Sequence, residues 1–391
     1  MESVEEAINK AIAAKDIPGA VLAASSTDGT FKYAKAFGLR TLKDDGNGPQ
    51  SMGLDTLFWM GSCTKLLTSI SVLQCVEKGY FTLDEDVTRL LPELKDIEVQ
   101  IPAKMEDGVE TPPRRVKAKN VITLRHLLLH TSGLSYTKFG DLSLSLMERC
   151  LAPLAFEPGE GFIYGTGVDF AGFMVERVTG MSLESYIHKH VCAPLGITSV
   201  CFRPREHPDL HSRLADVSLR KEKGGPVEHT PLTIWPPDTE GDSGGSGAYA
   251  TVADFQRVLR SVAGDDGVLL PSRMVDELLR PDMTPSARAG AMKALRNEST
   301  NNIYGGLPMG TEVAYAIGGM VVLEDLLPGR RPRGAVHWGG LLNVFFWMDR
   351  ENGLSGIYGS QVFPAGDVKC LGLLAEFERG VYEAFYNSKN T

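Results

Sequence analysis

Ser62 and Lys65 form a Ser-x-x-Lys pair, a spacing that can turn a serine hydroxyl into a nucleophile. Three residues make nearly one helical turn, so the lysine amine projects beside the serine hydroxyl. The pair follows the apolar segment 57–61 and begins a periodic, amphipathic pattern that predicts a helix ending at Gly79. The start of that helix offers backbone N–H groups to a developing oxyanion. In the alternative interpretation, Ser62 only caps the helix.

Two further Ser-x-x-Lys pairs compete with this one, because the spacing alone is common. Ser135 with Lys138 and Ser218 with Lys221 lie in polar, loop-like stretches, without the apolar segment that precedes Ser62. We interpret both pairs as chance matches.

Ser243 lies in a more conspicuous motif, because residues 241–245 read Gly-Asp-Ser-Gly-Gly. The stretch matches both the G-x-S-x-G nucleophile elbow and the surroundings of the nucleophile in trypsin-like proteases. An elbow needs an apolar strand before the serine and a helix directly after it, and neither pattern is present here. Trypsin-like folds are almost entirely β, whereas this sequence is not. We therefore interpret Ser243 as part of a glycine-rich loop.

Lys65 can accept a proton from Ser62 only if its pKa is lowered. An unperturbed lysine has a pKa of about 10.4 and is neutral in roughly one molecule per few thousand at pH 7. Burial and a neighbouring ionisable group would have to lower this pKa by about three units. A tyrosine is the expected coupled partner of the lysine.

Tyr164 is the best placed of the 11 tyrosines. It follows a Pro-Gly pair and precedes a helix that Thr166 and Asp169 are predicted to start with a capping box. The positive end of that helix would favour phenolate character. The alternative is a buried tyrosine that anchors the start of the helix.

Residues 337–340, His-Trp-Gly-Gly, form the third candidate motif, on a predicted strand that runs into residues 341–343. Glycines there let the strand backbone approach a substrate and offer a second N–H to an oxyanion. In the alternative interpretation, the strand simply ends in a turn, and the same sequence has no functional role.

Composition excludes several other classes of function. The 391 residues carry a formal net charge of -9, which gives no reason to bind nucleic acid or anionic lipid. The first eight residues lack the basic and apolar regions of a secretory signal, and no apolar run reaches 18 residues. Six scattered cysteines without a C-x-x-C pair favour reduced thiols. We expect a cytoplasmic protein without membrane spans, and we interpret His126 and His130 as packed or capping residues rather than metal ligands.

The order of the predicted helices and strands around these motifs indicates an α/β (α+β) fold. A helix over 2–15 and strands over 19–25 and 31–37, joined around Asp28-Gly29, are followed by helical patterns at 123–130, 141–150, 168–178, 183–192, 252–263 and 272–279. Strands are predicted at 315–323, 334–339, 343–348 and 353–359, with a closing helix over 366–386. One antiparallel sheet is thus built from both termini, with a mainly helical lobe inserted. We expect a sheet lobe (1–65 plus 305–391) and a helical lobe (66–304), with the site in the groove between them.

Taken together, the motifs resemble those of class C β-lactamases, D-alanyl-D-alanine peptidases and related esterases. The resemblance covers almost the whole chain and implies a β-lactamase/transpeptidase-like fold. It rests on Ser62-Cys63-Thr64-Lys65, Tyr164-Gly165-Thr166 and His337-Trp338-Gly339, with support from 123–134 and 194–198. Within that family the sequence is most similar to fungal acyltransferases of the lovastatin-pathway type, which transfer a short acyl group from a carrier-bound thioester to a polyketide alcohol. The similar segments are 64–68, 163–165, 171–177, 192–196 and 323–326.

The resemblance implies a role for each motif residue. Ser62 is acylated, Lys65 and Tyr164 relay its proton, and the N–H groups of Ser62 and Gly340 form the oxyanion hole. It implies neither a metal nor an organic cofactor; the implied partners are a small-molecule acyl donor, an alcohol acceptor and an acyl carrier domain of a polyketide synthase. The expected substrate contacts are Thr166, His337, Trp338 and Gly339.

Two departures from class C β-lactamases affect the expected substrate. Those enzymes have Asn where Thr166 stands and Lys where His337 stands. Histidine is largely neutral at pH 7, so a substrate carboxylate loses an anchor there. We expect weak or absent antibiotic hydrolysis and predict an acyltransferase acting on esters or thioesters. A hydrolase with the same acyl-enzyme, and a binding or tailoring protein without a covalent intermediate, are the alternatives.

Overall fold

Strands are concentrated at the two ends of the chain and helices in its middle. The computed structural model describes residues 1–389 other than 45, 47, 107, 108, 327 and 328. Its helices are α1 (Glu2–Ala13), α2 (Thr64–Glu77), α3 (Leu124–Leu128), α4 (Leu146–Cys150), α5 (Gly167–Thr179), α6 (Leu183–Ile187), α7 (Pro208–His211), α8 (Val252–Gly264), α9 (Ser272–Leu279), α10 (Pro285–Leu295), α11 (Glu298–Ile303) and α12 (Val368–Lys389). Its strands are β1 (Gly19–Ser26), β2 (Lys32–Gly38), β3 (Leu57–Trp59), β4 (Glu98–Ile101), β5 (Lys104–Glu106), β6 (Val109–Thr111), β7 (Arg114–Lys117), β8 (Ser218–Leu219), β9 (Glu228–His229), β10 (Tyr249–Thr251), β11 (Val313–Ala316), β12 (Gly319–Val322), β13 (Val336–Gly340), β14 (Val344–Asp349), β15 (Leu354–Gly359) and β16 (Val362–Phe363).

The main sheet joins the two ends of the chain. Within the described residues it has seven strands in the order β11-β12-β13-β14-β15-β1-β2. The joint is the antiparallel pair of β1 and β15, in which Val21 lies opposite Gly359 and Ser26 opposite Leu354. The predicted α/β fold with a sheet built from both termini is confirmed.

Both faces of this sheet are covered, so β1 is buried along its whole length. Val21 and Ala23 belong to the same hydrophobic cluster as the inner face of α8. Their neighbours Leu22 and Ala24 point the other way, into a cluster with α1 and α12. This alternation follows from the two-residue period of a strand.

Helix α2 lies at the centre of the helical part of the fold. The sequence predicts an amphipathic helix, but the structure buries α2 on all sides, from Thr64 to Cys75. The hydroxyls of Ser69 and Ser71 donate to the carbonyls of Ile317 and Leu67, which explains how polar residues are accommodated inside the core. Ser62 and Lys65 therefore stand at the start of a rigid central element.

Three regions differ from the sequence-based prediction. The predicted single strand over 315–323 is a hairpin of β11 and β12, because Gly319 has a φ of +145° and lies so close to β13 that an added Cβ would be 2.7 Å from the carbonyl oxygen of His337. Short strands β4 to β7 interrupt the helical middle, and helices α10 and α11 were not predicted.

The structure leaves the predicted boundaries and location untested. The division into lobes 1–65 plus 305–391 and 66–304, like the cytoplasmic location, stays a prediction. Within the described part of the chain, every helix is too short or too polar to span a bilayer. All six cysteines are buried free thiols.

Candidate active site

Ser62 lies on a short 3₁₀ turn, Gly61–Cys63, between β3 and α2, and is partly accessible to solvent. Gly61 has a φ of +51°, and a Cβ there would lie 3.0 Å from the backbone nitrogen of Leu341. A Cβ on Gly340 would lie 2.2 Å from the carbonyl oxygen of Met60. Glycine at both positions therefore lets the end of β13 pack directly against the turn that carries Ser62.

Lys65 is buried one turn further along, and three groups surround its amine. Nζ lies 3.5 Å from the Ser62 Oγ, 2.8 Å from the Tyr136 hydroxyl and 2.8 Å from the carbonyl oxygen of Gly245. Burial lowers the pKa of Lys65 to about 8, although the carboxylate of Asp169 acts in the opposite direction. The fold thus supplies most of the pKa shift that a proton-accepting lysine requires.

Tyr164 packs against the same amine, with its ring centroid 4.6 Å from the Lys65 Nζ. Its hydroxyl accepts a hydrogen bond of 3.1 Å from the indole N–H of Trp338. Burial raises the pKa of Tyr164, and the hydrogen bonds from Ser62 and Trp338 only partly oppose this. Desolvation outweighs any stabilisation of a phenolate by the positive end of the helix, so the predicted phenolate character is wrong. Tyr164 is a neutral phenol at pH 7.

The imidazole ring of His130 packs against the ring of Tyr164. The two ring centroids are 4.4 Å apart, and the His130 Nδ1 accepts a hydrogen bond from the backbone N–H of Gly165. Burial lowers the pKa of His130 well below its usual range, so the imidazole is neutral. His126 forms the capping box of α3 with Thr123. Both histidines are the packed and capping residues that the sequence predicts.

The glycine-rich loop 241–247 contacts Lys65 and does not present Ser243 to the cavity. Ser243 is buried, and its Oγ donates a 2.6 Å hydrogen bond to the Asp169 carboxylate. The backbone N–H of Gly245 donates to the same carboxylate oxygen, while its carbonyl accepts from Lys65. The interpretation of Ser243 as a loop residue agrees with this geometry.

The structure does not bring Thr166 or His337 to the site. Thr166 is fully buried, and its hydroxyl donates to the carbonyl of Cys150. The predicted capping box is therefore not formed, because Asp169 bonds to the 241–247 loop instead. His337 is fully buried on the face of β13 opposite to Trp338, as strand alternation requires, and burial lowers its pKa well below the usual range.

Ser62 and Tyr164 open into a cavity of about 610 Å³. Trp338 and Gly339, two of the expected substrate contacts, are among the residues that line it. The indole rings of Trp59 and Trp235 stack at 5.9 Å between centroids, and Phe139 stacks on Trp235 at 5.7 Å. Such a wall suits an apolar ligand with few polar groups. The other lining residues are Gly61, Tyr136, Gly140, Leu142, Arg149, Thr233, Ile234, Ser246, Thr300, Ile303, Tyr304 and Leu341.

The sequence-based prediction did not include several residues that surround Ser62, Lys65 and the cavity. Tyr136 stands beside Ser135 in one of the Ser-x-x-Lys pairs interpreted as chance, so a search for tyrosines near serine motifs would have found it. Asp169 was assigned to a helix cap. Trp235 and Tyr304 lie outside every periodic pattern, and nothing in the sequence alone connects them with Ser62.

Comparison with known proteins identifies the architecture. A family model described as Beta-lactamase matches residues 4–376. The chain belongs to the beta-lactamase family. Its relatives in this family include the monacolin J acid methylbutanoyltransferase of Aspergillus terreus, 35% identical over 98% of this chain and 95% of that protein. The lovastatin esterase of Penicillium rubens is also 35% identical, over 94% and 95% of the two chains. The solved structure of unliganded simvastatin synthase from Aspergillus terreus superposes with a TM-score of 0.89 at 34% identity and covers 98% of both chains.

These similarities confirm both the family resemblance and the fold expected from the sequence. Relatives that match along nearly the whole chain are acyltransferases and esterases, so both activities occur in enzymes built like this member of the beta-lactamase family.

Proposed function

We propose that this protein is a serine acyltransferase that moves an acyl group from an ester or thioester to an alcohol of a polyketide-like metabolite. The observation that carries the proposal is the position of Ser62 at a large apolar cavity, within 3.5 Å of a buried lysine whose pKa is about 8. Two relatives have names that describe transfer to acceptors of this kind, monacolin J acid and ML-236A carboxylate.

Acylation of Ser62 begins with the neutral form of Lys65. Two N–H bonds of the amine are directed to the Gly245 carbonyl and the Tyr136 hydroxyl, which leaves its lone pair for the Ser62 proton. As Ser62 Oγ attacks the carbonyl carbon of the donor, Lys65 accepts the proton. The backbone N–H groups of Ser62 and Gly340 stabilise the negative oxygen of the tetrahedral intermediate.

Collapse of this intermediate breaks the bond to the leaving thiolate or alkoxide, which takes a proton as it departs. The Tyr164 hydroxyl is suited to deliver it, because its oxygen accepts from Trp338 and Ser62, which leaves its own O–H for the leaving group. The proton that Lys65 took from Ser62 then restores the phenol. Deacylation reverses these steps. The alcohol loses its proton to the same pair, attacks the acyl-serine carbonyl, and the product ester leaves with Ser62 reprotonated.

The donor we propose is the thioester of an acyl carrier domain, as in the enzyme type that the sequence resembles. Hydrolysis is the second candidate, favoured by the similarity to a lovastatin esterase along nearly the whole chain. The two reactions share the acyl-enzyme and differ in whether water or a bound alcohol attacks it. The apolar lining of the cavity favours a bulky organic acceptor over water.

Intact-mass measurement tests this proposal. The wild type is incubated with short acyl thioesters and p-nitrophenyl esters, and then with candidate alcohols. A mass gain equal to the acyl group, lost on addition of an alcohol with formation of the new ester, supports a transferase. Loss of the acyl group at the same rate with and without alcohol would instead establish the esterase. An unmodified protein that still forms the ester would refute the covalent mechanism.

A further inference from the structure

Asp169 is a buried carboxylate close to Lys65 that the mechanism above does not use. It lies in the first turn of α5 and is 0% exposed. Its Oδ1 accepts a 2.6 Å hydrogen bond from the Ser243 hydroxyl and a 3.0 Å hydrogen bond from the backbone N–H of Gly245. Within the described part of the chain, its Oδ2 is buried without a hydrogen-bond partner. Burial of such an oxygen is costly, so the carboxylate needs a compensating interaction.

Gly245 connects this carboxylate to Lys65. Its N–H donates to Asp169, and its carbonyl oxygen accepts a 2.8 Å hydrogen bond from the Lys65 amine. A Cβ on Gly245 would lie 2.4 Å from the Asp169 Oδ2, so glycine is required for the loop to lie this close. The carboxylate and the amine are therefore held on two sides of the same residue.

The hydrogen bonds alone do not explain why a carboxylate occupies this position. The amide oxygen of an asparagine could also accept from Ser243 and Gly245, and a neutral amide is less costly to bury than a charge. The negative charge is useful only to a neighbour that becomes positive. Lys65 is such a neighbour, because it becomes an ammonium group when it accepts the proton of Ser62.

The other ionisable groups around the Lys65 amine are neutral at pH 7. Burial raises the pKa of the nearby thiols and phenols and lowers that of the nearby imidazole. Burial also raises the pKa of Asp169, but Lys65 and the two hydrogen-bond donors oppose that change and favour the charged carboxylate. The neutral groups are Cys63, Cys150, Tyr136, Tyr164 and His130.

We propose that Asp169 is a positioning residue that stabilises the ammonium form of Lys65 during acylation and holds the Gly245 carbonyl against it. This inference rests on the proposed function and assigns the counter-ion of its base. The proton moves from Ser62 Oγ to Lys65 Nζ as Oγ bonds to the acyl carbon, and Asp169 itself takes no proton. The aspartate of a Ser-His-Asp triad stabilises a positive base in the same way.

A pH profile of Asp169→Asn tests this role. In the wild type, kcat/KM for a p-nitrophenyl ester should level off above about 8. Without the negative charge the ammonium is less stable, so the midpoint should move to lower pH by about one unit or more. The plateau should fall by about tenfold or more, because Lys65 becomes a weaker base. Asp169→Glu keeps the charge and should keep the wild-type midpoint, although its plateau falls.

Two variants of the 241–247 loop control for its structural role. Asp242→Asn removes a buried carboxylate that pairs with Arg203, and Ser243→Ala removes a hydrogen bond to Asp169 but keeps its charge. Both should leave the midpoint unchanged. Lower stability and activity of Asp169→Asn with an unchanged midpoint would overturn the proposal. So would a wild-type midpoint of about 6, which is typical of a buried lysine without a counter-charge, and this result requires no variant.

NMR separates this inference from the proposed function, because it follows the protonation of Lys65 without turnover. The ¹³C signal of the Lys65 ε-carbon is assigned with Lys65→Met and titrated in Ser62→Ala, with and without Asp169→Asn. If no acyl transfer occurs but Asp169→Asn lowers the titration midpoint, the counter-ion role stands and the transferase proposal fails. Identical titration of the two proteins would overturn the role of Asp169, whether or not the wild type transfers acyl groups.

Discussion

Ser62 and Ser243 both lie in sequence motifs that surround nucleophiles, yet the structure gives them different environments. Ser62 is partly accessible at an apolar cavity, and its neighbours are an amine of lowered pKa and a neutral phenol. Ser243 is buried and donates its proton in a hydrogen bond to Asp169. The difference favours Ser62 as the nucleophile, because a nucleophilic serine needs access to substrate and a group that can accept its proton, and flanking glycines supply neither.

The two regions are nevertheless connected. The loop that contains Ser243 presents the carbonyl of Gly245 to Lys65, so in the proposed mechanism the buried Ser243 helps to orient the base that serves Ser62.

Ser62→Ala should abolish acylation, with a loss of roughly 10⁴-fold or more in turnover, because the attacking atom is removed. Ser243→Ala should still become acylated, since Ser243 does not line the cavity. Mass spectrometry after incubation with a p-nitrophenyl ester measures both. Acylation of Ser62→Ala at the wild-type rate would reverse the assignment.

Lys65→Met should lower kcat/KM by about 10²- to 10⁴-fold, the usual contribution of a positioned base. In the wild type, kcat/KM should rise with pH and level off above about 8, because only the unprotonated amine accepts the Ser62 proton and its pKa is about 8. A pH profile with a stable p-nitrophenyl ester measures this. A flat profile between pH 6 and 9 would contradict the role of Lys65.

Tyr164→Phe should reduce turnover by roughly 10²-fold, because it removes the proton that reaches the leaving group. Tyr304→Phe is the matched control, since Tyr304 also lines the cavity and packs on Tyr164 at 5.6 Å. Steady-state kinetics of both variants and the wild type with one ester measures the two losses in turnover. Equal losses in both variants would indicate packing rather than proton transfer.

Ser243→Ala should have the smallest effect on chemistry and act on stability instead. Removal of a hydrogen bond to the buried Asp169 carboxylate should lower the free energy of unfolding by about 1–3 kcal/mol. Urea denaturation compared with Ser135→Ala, which removes an exposed hydrogen bond to the hydroxyl of Thr137, measures the difference. Equal stability of the two variants would show that the 241–247 loop does not depend on Ser243.

Features with a local cause could be predicted from the sequence. The Asp28-Gly29 turn between β1 and β2 and the start of α2 after Ser62 follow from short-range patterns. The order of the three motifs also indicated which serine, lysine and tyrosine meet. Trp338 faces the cavity because the strand alternates, and the same alternation turns His337 away.

Features that depend on distant segments could not be predicted. Asp169 matched a capping pattern, but the loop at 241–247 competes for its carboxylate more successfully than Thr166. The aromatic wall combines Phe139, Trp235 and Tyr304 from segments without periodicity.

The contact between Gly340 and Met60 has a consequence for the order of events during synthesis. Residues 60–65 leave the ribosome long before residue 340, against which they pack. Strand β1 is likewise synthesised long before its partner strand β15. In the mechanism that we propose, Ser62 lacks the second N–H group of its oxyanion hole until that late strand is in place. We therefore expect that a nascent chain that stops before residue 340 does not acylate Ser62.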